Sequence, residues 1–177
     1  ENKFYIVTNW HAKNFRLMKT NENKTNRKYW EEVVSHRKTV FLDDNFECFN
    51  NYIALNERTK GLPNIRILNL KNGTSYYMKF KESAYTCSVS DRNLDFDTDI
   101  IRYSYTSLTT PFSTYEYNMK TKKQKLLKQL EVIGGYNQKK YFTERIFAKS
   151  RDGKKIPVSL VYRRDKFKKP GKLLLYA

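Results

Sequence analysis

The 177-residue sequence predicts an all-β chain: a partial β-propeller of about three four-stranded blades over residues 1–131, a linker at 132–140, and the opening strands of an α/β domain over 141–177. Three observations predict it. Aromatic residues make up 15% of an otherwise polar sequence, with 14 Tyr and 11 Phe, and aromatic side chains favour strands. Strand-like segments recur at a spacing of about 50 residues, the length of one propeller blade. After Leu130 the pattern breaks at Gly134-Gly135, the one pair of adjacent glycines, and a different set of strands begins.

Each repeat unit opens on an apolar, aromatic segment: Phe4-Tyr5-Ile6-Val7, then Tyr52-Ile53-Ala54-Leu55, then Ile101-Arg102-Tyr103-Ser104-Tyr105. Second strands follow at Phe15-Arg16-Leu17-Met18, Ile65-Arg66-Ile67-Leu68 and Tyr115-Glu116-Tyr117-Asn118. Third strands follow at Lys28-Tyr29-Trp30, at 75–80 and at Lys125-Leu126-Leu127-Lys128. Fourth strands are expected at Thr39-Val40-Phe41-Leu42 and Tyr85-Thr86-Cys87-Ser88-Val89, and the third unit offers no clear one. Asn72-Gly73 predicts a type I′ hairpin, which needs positive φ at both central residues. Ile65, Ile67 and Asn69 alternate with Arg66, Leu68 and Leu70, both sets partly apolar, as expected of a strand covered on both faces. A β-sandwich of similar strand count is the alternative; it has no need of matched units.

The paired glycines suit a linker, because glycine tolerates backbone angles other residues avoid. Beyond them, residues 141–148 form a predicted strand, Asp152-Gly153 a tight turn, and residues 156–162 a returning strand. Pro157 cannot donate to a ladder, so it belongs at a strand start or on an edge. Leu173-Leu174-Leu175-Tyr176 is an apolar run of the kind found in strands buried on both faces.

The net charge is +17. Lysines are dispersed except in two clusters, Lys120, Lys122, Lys123, Lys125 and Arg163, Arg164, Lys166, Lys168, Lys169, both expected on solvated turns. No apolar window is long enough to span a membrane. Glu1-Asn2-Lys3 lacks the pattern of a secretion signal, so a cytoplasmic location is expected, with Cys48 and Cys87 reduced and the sequons at Asn23 and Asn72 accidental.

Several segments together carry a resemblance. Arg102-Tyr103-Ser104-Tyr105-Thr106-Ser107-Leu108-Thr109-Thr110-Pro111 resembles the last-blade motif of the oligopeptidase B (protease II) branch of the prolyl oligopeptidase family of serine peptidases. Ser150-Arg151-Asp152-Gly153 with residues 156–162 is similar to that family's passage into its hydrolase domain, and 173–176 to the strand after it. Phe4-Tyr5-Ile6-Val7-Thr8-Asn9, Lys13-Asn14-Phe15-Arg16-Leu17 and Asn56-Glu57-Arg58 with Gly61-Leu62 are similar too. The resemblance implies a propeller that restricts access to an α/β-hydrolase site, so that short basic peptides are cut after Lys or Arg. It also implies that this chain covers the later blades and the first strands of the hydrolase domain.

Such a hydrolase carries its nucleophile in Gly-x-Ser-x-Gly, followed in chain order by Asp and His. The glycines stand at 61, 73, 134, 135, 153 and 171, and none frames a serine in this way. His11 and His36 precede every serine near the predicted hydrolase strands. No catalytic, cofactor or metal residue is therefore assigned, no cofactor is expected, and the chain alone is expected to be inactive. Asp95-Phe96-Asp97-Thr98-Asp99 alternates carboxylates as a calcium loop does, but Ile100 stands where such a loop needs glycine and Thr106 where it needs glutamate. Asp43-Asp44 and Glu31-Glu32, adjacent on strands, would point to opposite faces. Lys169-Pro170-Gly171-Lys172 lacks the rest of a phosphate loop. Trp10 and Trp30 suit blade packing better than base stacking. A basic, propeller-like module for nucleic acid or an acidic partner is the alternative function; no nucleic acid is expected on the main reading. Unpaired strand edges predict self-association.

Overall fold

A computed structural model describes residues 2–90, 93–168 and 170–176. Glu1, Lys169 and Ala177, used in the sequence reading, lie outside the described residues. The described residues form antiparallel sheets in succession along the chain. The first is β1 (Lys3–Thr8), β2 (Arg16–Asn21) and β3 (Glu31–Val34), in that order. The second is β4 (Val40–Cys48), β5 (Tyr52–Thr59), β6 (Leu62–Asn69) and β7 (Ser75–Tyr77). The third is β8 (Tyr85–Val89), β9 (Ile100–Ser107), β10 (Ser113–Asn118) and β11 (Gln124–Gln129). A hairpin of β12 (Tyr141–Lys149) and β13 (Lys155–Arg163) follows. Among the described residues no helix is long and apolar enough to cross a membrane.

The all-β, blade-like architecture matches expectation, but the frame of the repeat moves by one strand. The segments expected as fourth strands, 39–42 and 85–89, fall at the start of β4 and in β8 and open the next sheets. A period relates each strand to its equivalent and leaves the phase free. Pairing decides the phase: β4 runs against β5 from Val40↔Thr59 to Cys48↔Ile53. The missing fourth strand of the third unit is thereby explained, since β8 already completes that sheet.

Local chemistry accounts for three further differences. Residues 28–30 are not a strand. Arg27–Tyr29 is a 3-10 turn capped by Asn26, whose side chain accepts Lys28 N–H, and the Trp30 indole donates to Thr25 O. The type I′ turn stands at Lys60-Gly61, with φ of 51° and 75°, closing the pair Thr59↔Leu62. At 72–73 only Gly73 has positive φ, and the Asn72 side chain instead accepts Thr74 N–H and its hydroxyl. The run 173–176 joins none of the sheets and its side chains are exposed. A strand exists by pairing, and apolar character alone does not supply the partner.

The middle sheet holds the core because both its faces are covered. Six successive residues of β5, Tyr52 to Glu57, are buried. Ile53, Leu55 and Leu68 pack with Leu17, Val34 and Leu42 on the side of the first sheet. Ala54, Ile65 and Ile67 pack with Cys87, Val89, Ile101, Tyr103 and Tyr105 of the third. An aromatic stack of Phe80, Tyr85, Tyr105, Tyr103 and Tyr115 extends this second cluster, each such pair adding about 0.5–1.5 kcal/mol beyond its buried area. Buried Asn56 fastens the two sheets: its Oδ1 accepts Val89 N–H at 3.1 Å and its Nδ2 donates to Asn45 O at 3.0 Å.

Candidate functional site

The residues weighed in the sequence remain separate. The His11 ring lies against Trp10 at a positive-φ turn, and His36 Nε2 is buried without a hydrogen bond. Cys48 and Cys87 are free thiols; burial pushes both up to about 12, with the charge of Glu47 adding to the effect at Cys48, so neither is an activated nucleophile. In the acidic loop, Asp95 accepts Asp97 N–H, Asp97 accepts from the Asn50 side chain, and Asp99 O accepts Met119 N–H. That loop is tied to the blade, and among the described residues no group of three or more His, Cys, Asp or Glu side chains could hold a metal. The first lysine cluster lies at the β10–β11 turn, where Asn118 Oδ1 accepts Lys120 and Thr121 N–H. The second begins at the end of β13; its Lys169 is outside the described residues.

Two carboxylate clusters stand out instead. Glu57, on β5, has a fully buried side chain. It meets the guanidinium groups of Arg37 and Arg66 and accepts the Tyr77 hydroxyl at 2.5 Å. Burial pulls Arg37 down, but the bonds and charge of Glu57, with those of Tyr77, outweigh it and hold the guanidinium above its ordinary value. Arg37 lies between the first and second sheets in the chain, so the cluster fastens their junction.

The second cluster lies where the third sheet meets the β12–β13 hairpin. Glu82 precedes β8, and its carboxylate accepts four hydroxyls. Ser107 and Thr109 donate to Oε1 at 2.6 and 2.5 Å. Tyr105 and Thr110 donate to Oε2 at 2.6 and 2.7 Å. Burial pushes this carboxyl up, yet the hydroxyl bonds outweigh it and leave it below its ordinary value, because each favours the charged form. Burial, then the bond to Glu82, pushes the Tyr105 hydroxyl up. The Ser107 hydroxyl also accepts Thr109 and Thr110 N–H, which turns the chain sharply before Pro111.

The hairpin and the stretch before it rest on this loop. Gly134 and Gly135 both take positive φ, as their pairing predicted. Tyr136 then donates its hydroxyl to Thr109 O at 2.6 Å, and Gln138 Nε2 donates to Thr110 Oγ1 at 2.8 Å. Ser83 Oγ donates to Thr143 O, and Arg145 Nη2 to Lys60 O. At the Lys60-Gly61 turn, Pro157 and Arg145 come so close that a side chain on Gly61 would meet both at 3.3 Å. Pro157 itself lies on β13, which among the described residues pairs only with β12, so its missing N–H belongs on the strand's outer edge.

The sequence reading took residues 101–105 as a strand and 102–111 as a family likeness, but assigned no role to Glu82. The signal was available: six of the seven residues from 104 to 110 carry a hydroxyl, and such a run on a buried segment requires an acceptor.

The protein family described as "Prolyl oligopeptidase, N-terminal beta-propeller domain" matches residues 1–130. Dipeptidyl aminopeptidase BI of Pseudoxanthomonas mexicana is 45% identical over 155 residues, which is 87% of this chain and 21% of that protein. Protease 2 of Moraxella lacunata is 28% identical over 177 residues, 99% of this chain and 25% of its own. The solved structure of oligopeptidase B from Leishmania major superposes with a TM-score of 0.81 at 25% identity, covering 92% of this chain and 24% of that one. The chain thus spans a quarter or less of the length of these proteins.

Proposed function

The chain belongs to the prolyl oligopeptidase family, and on that premise we propose that it forms part of the access-restricting propeller of a serine peptidase acting on short peptides. The observation that carries the proposal is the sheet stacked on both faces by neighbouring sheets, within the stretch that matches the family's propeller domain. A stack of this kind makes a rigid wall rather than a reactive centre. In this reading the catalytic Ser, Asp and His lie outside the chain, residues 132–140 are the linker, and 141–177 lead into the hydrolase portion. The lysine clusters on turns favour an ordinary solvated surface over a nucleic-acid site, and the cytoplasm remains the proposed location.

We further propose cleavage after Lys or Arg, supported by the likeness to oligopeptidase B and protease 2. The higher identity to a dipeptidyl aminopeptidase favours a second reading, release of dipeptides from a free amino end. Two assays test these points. The 177-residue chain should not turn over a fluorogenic Arg-containing dipeptide substrate; turnover blocked by a serine-directed inhibitor would refute the assignment of the triad elsewhere. A polypeptide of the relatives' length carrying this chain should cleave an N-blocked Arg substrate. Cleavage restricted to the same substrate with a free amino end would replace the first specificity with the second.

A further inference from the structure

The Glu82 cluster has a directional property that its geometry makes specific. An ionised carboxylate only accepts hydrogen bonds, while a threonine hydroxyl has one proton to give. Thr109 and Thr110 both spend that proton on Glu82. Their remaining valence is acceptor-only, so whatever docks on Thr110 Oγ1 must bring a donor. The docking segment does so: Gln138 offers its amide Nε2 to Thr110 Oγ1. The Tyr136 hydroxyl adds a bond to the backbone carbonyl of Thr109, which the Glu82 cluster holds in place. Thr143 places its own hydroxyl 3.5 Å from Thr109 Oγ1. Glu82 thus imposes one hydrogen-bond polarity on a surface it does not itself reach.

We propose that Glu82 is a positioning residue that holds the 107–111 loop and orients its hydroxyls, so that one carboxylate sets how the segment 136–143 and the β12–β13 hairpin seat on the third sheet. The assignment goes beyond the peptidase reading and does not depend on it. Ser83 and Arg145 hold the hairpin by other contacts, to Thr143 O and Lys60 O, so loss of the Glu82 cluster loosens the seat without detaching the hairpin.

Hydrogen exchange on the full chain tests this, with peptides from β5 and β6 as the internal reference. Glu82→Gln turns one acceptor oxygen into a donor and should speed exchange across 136–143 by about tenfold, as loss of a charge-assisted bond does for local opening. Gln138→Glu leaves Glu82 and its four hydroxyls untouched but sets an acceptor against an acceptor, and should produce the same local loosening. Adding Glu82→Gln to Gln138→Glu should restore part of the protection, because with the new amide NH2 set against Thr110 that hydroxyl loses its acceptor and is free to donate outward to the carboxylate introduced at position 138. Wild-type exchange at 136–143 in Gln138→Glu would overturn the proposal. So would a Glu82→Gln chain in which β5, β6 and 136–143 loosen alike, since Glu82 would then be a general stabiliser and not a determinant of docking.

Discussion

The β5–β6 pair and the β12–β13 hairpin are built from equally complete ladders and differ in almost everything else. β5 and β6 pair without interruption from Tyr52↔Asn69 to Thr59↔Leu62, and β12 and β13 from Tyr141↔Arg163 to Lys149↔Lys155. Each closes on a turn with a positive-φ glycine, Gly61 or Gly153. Yet six consecutive residues of β5 are buried, while β12 and β13 contain no buried residue, and Ile146, Phe147, Ile156 and Val161 are exposed. A complete ladder therefore forms whether or not its faces are covered. Stability is decided by what covers the faces.

The sharpest way to break the comparison is to cut the core of the middle sheet. Ile67 is fully buried between the second and third sheets. Ile67→Ala removes its methyl groups from a packed site and should destabilise the chain by about 2–5 kcal/mol, through lost transfer energy and the cavity left behind. Urea denaturation followed by tyrosine fluorescence measures it, with the midpoint falling and the slope unchanged. A cost below about 1 kcal/mol would mean that the blades do not stack as described.

Asn56 tests the polar side of the same junction. It is buried and binds both Asn45 O and Val89 N. Asn56→Ala leaves a buried amide and a carbonyl short of a partner and should cost about 1–3 kcal/mol. The same denaturation experiment reads it, and Asn56→Asp should be no better, because a carboxylate cannot donate to Asn45 O.

How much of this was legible before the structure follows from what each feature depends on. The blade period was legible because aromatic and branched residues recur in the units. The two-sided burial of β6 was visible in the apolar character of Ile65 and Ile67 on one face and Leu68 on the other. The frame was not, because a repeat fixes spacing and leaves the starting strand free. Asn72-Gly73 misled because a dipeptide preference is weaker than a side chain that finds its own partner, here Asn72 with Thr74. Lys60-Gly61 was missed because lysine seldom takes positive φ; the turn is dictated by the two strands it joins. The Glu82 cluster was only half legible. Its members, 82 and 105–110, are brought together by the β8–β9 pairing, and the run of hydroxyls says that an acceptor is needed without saying which.

The smallest expected effect sharpens the comparison from the hairpin side. Ile146 occupies a regular ladder position opposite Val158, as Ile67 does opposite Ala54, but about half of its surface faces solvent. Ile146→Ala should therefore change global stability by less than about 0.5 kcal/mol, the range of ordinary surface substitutions. Identical side chains in equivalent strand positions would then differ several-fold in what they contribute, with burial as the sole variable. A cost at Ile146 approaching that at Ile67 would show that the hairpin face is covered in solution. Sedimentation of the chain over a range of concentrations would distinguish the source. Weight-average mass rising with concentration, and falling in Ile146→Ala, identifies a second copy as the cover, in line with self-association through exposed strands. Mass independent of concentration would instead place the missing contacts within the chain itself.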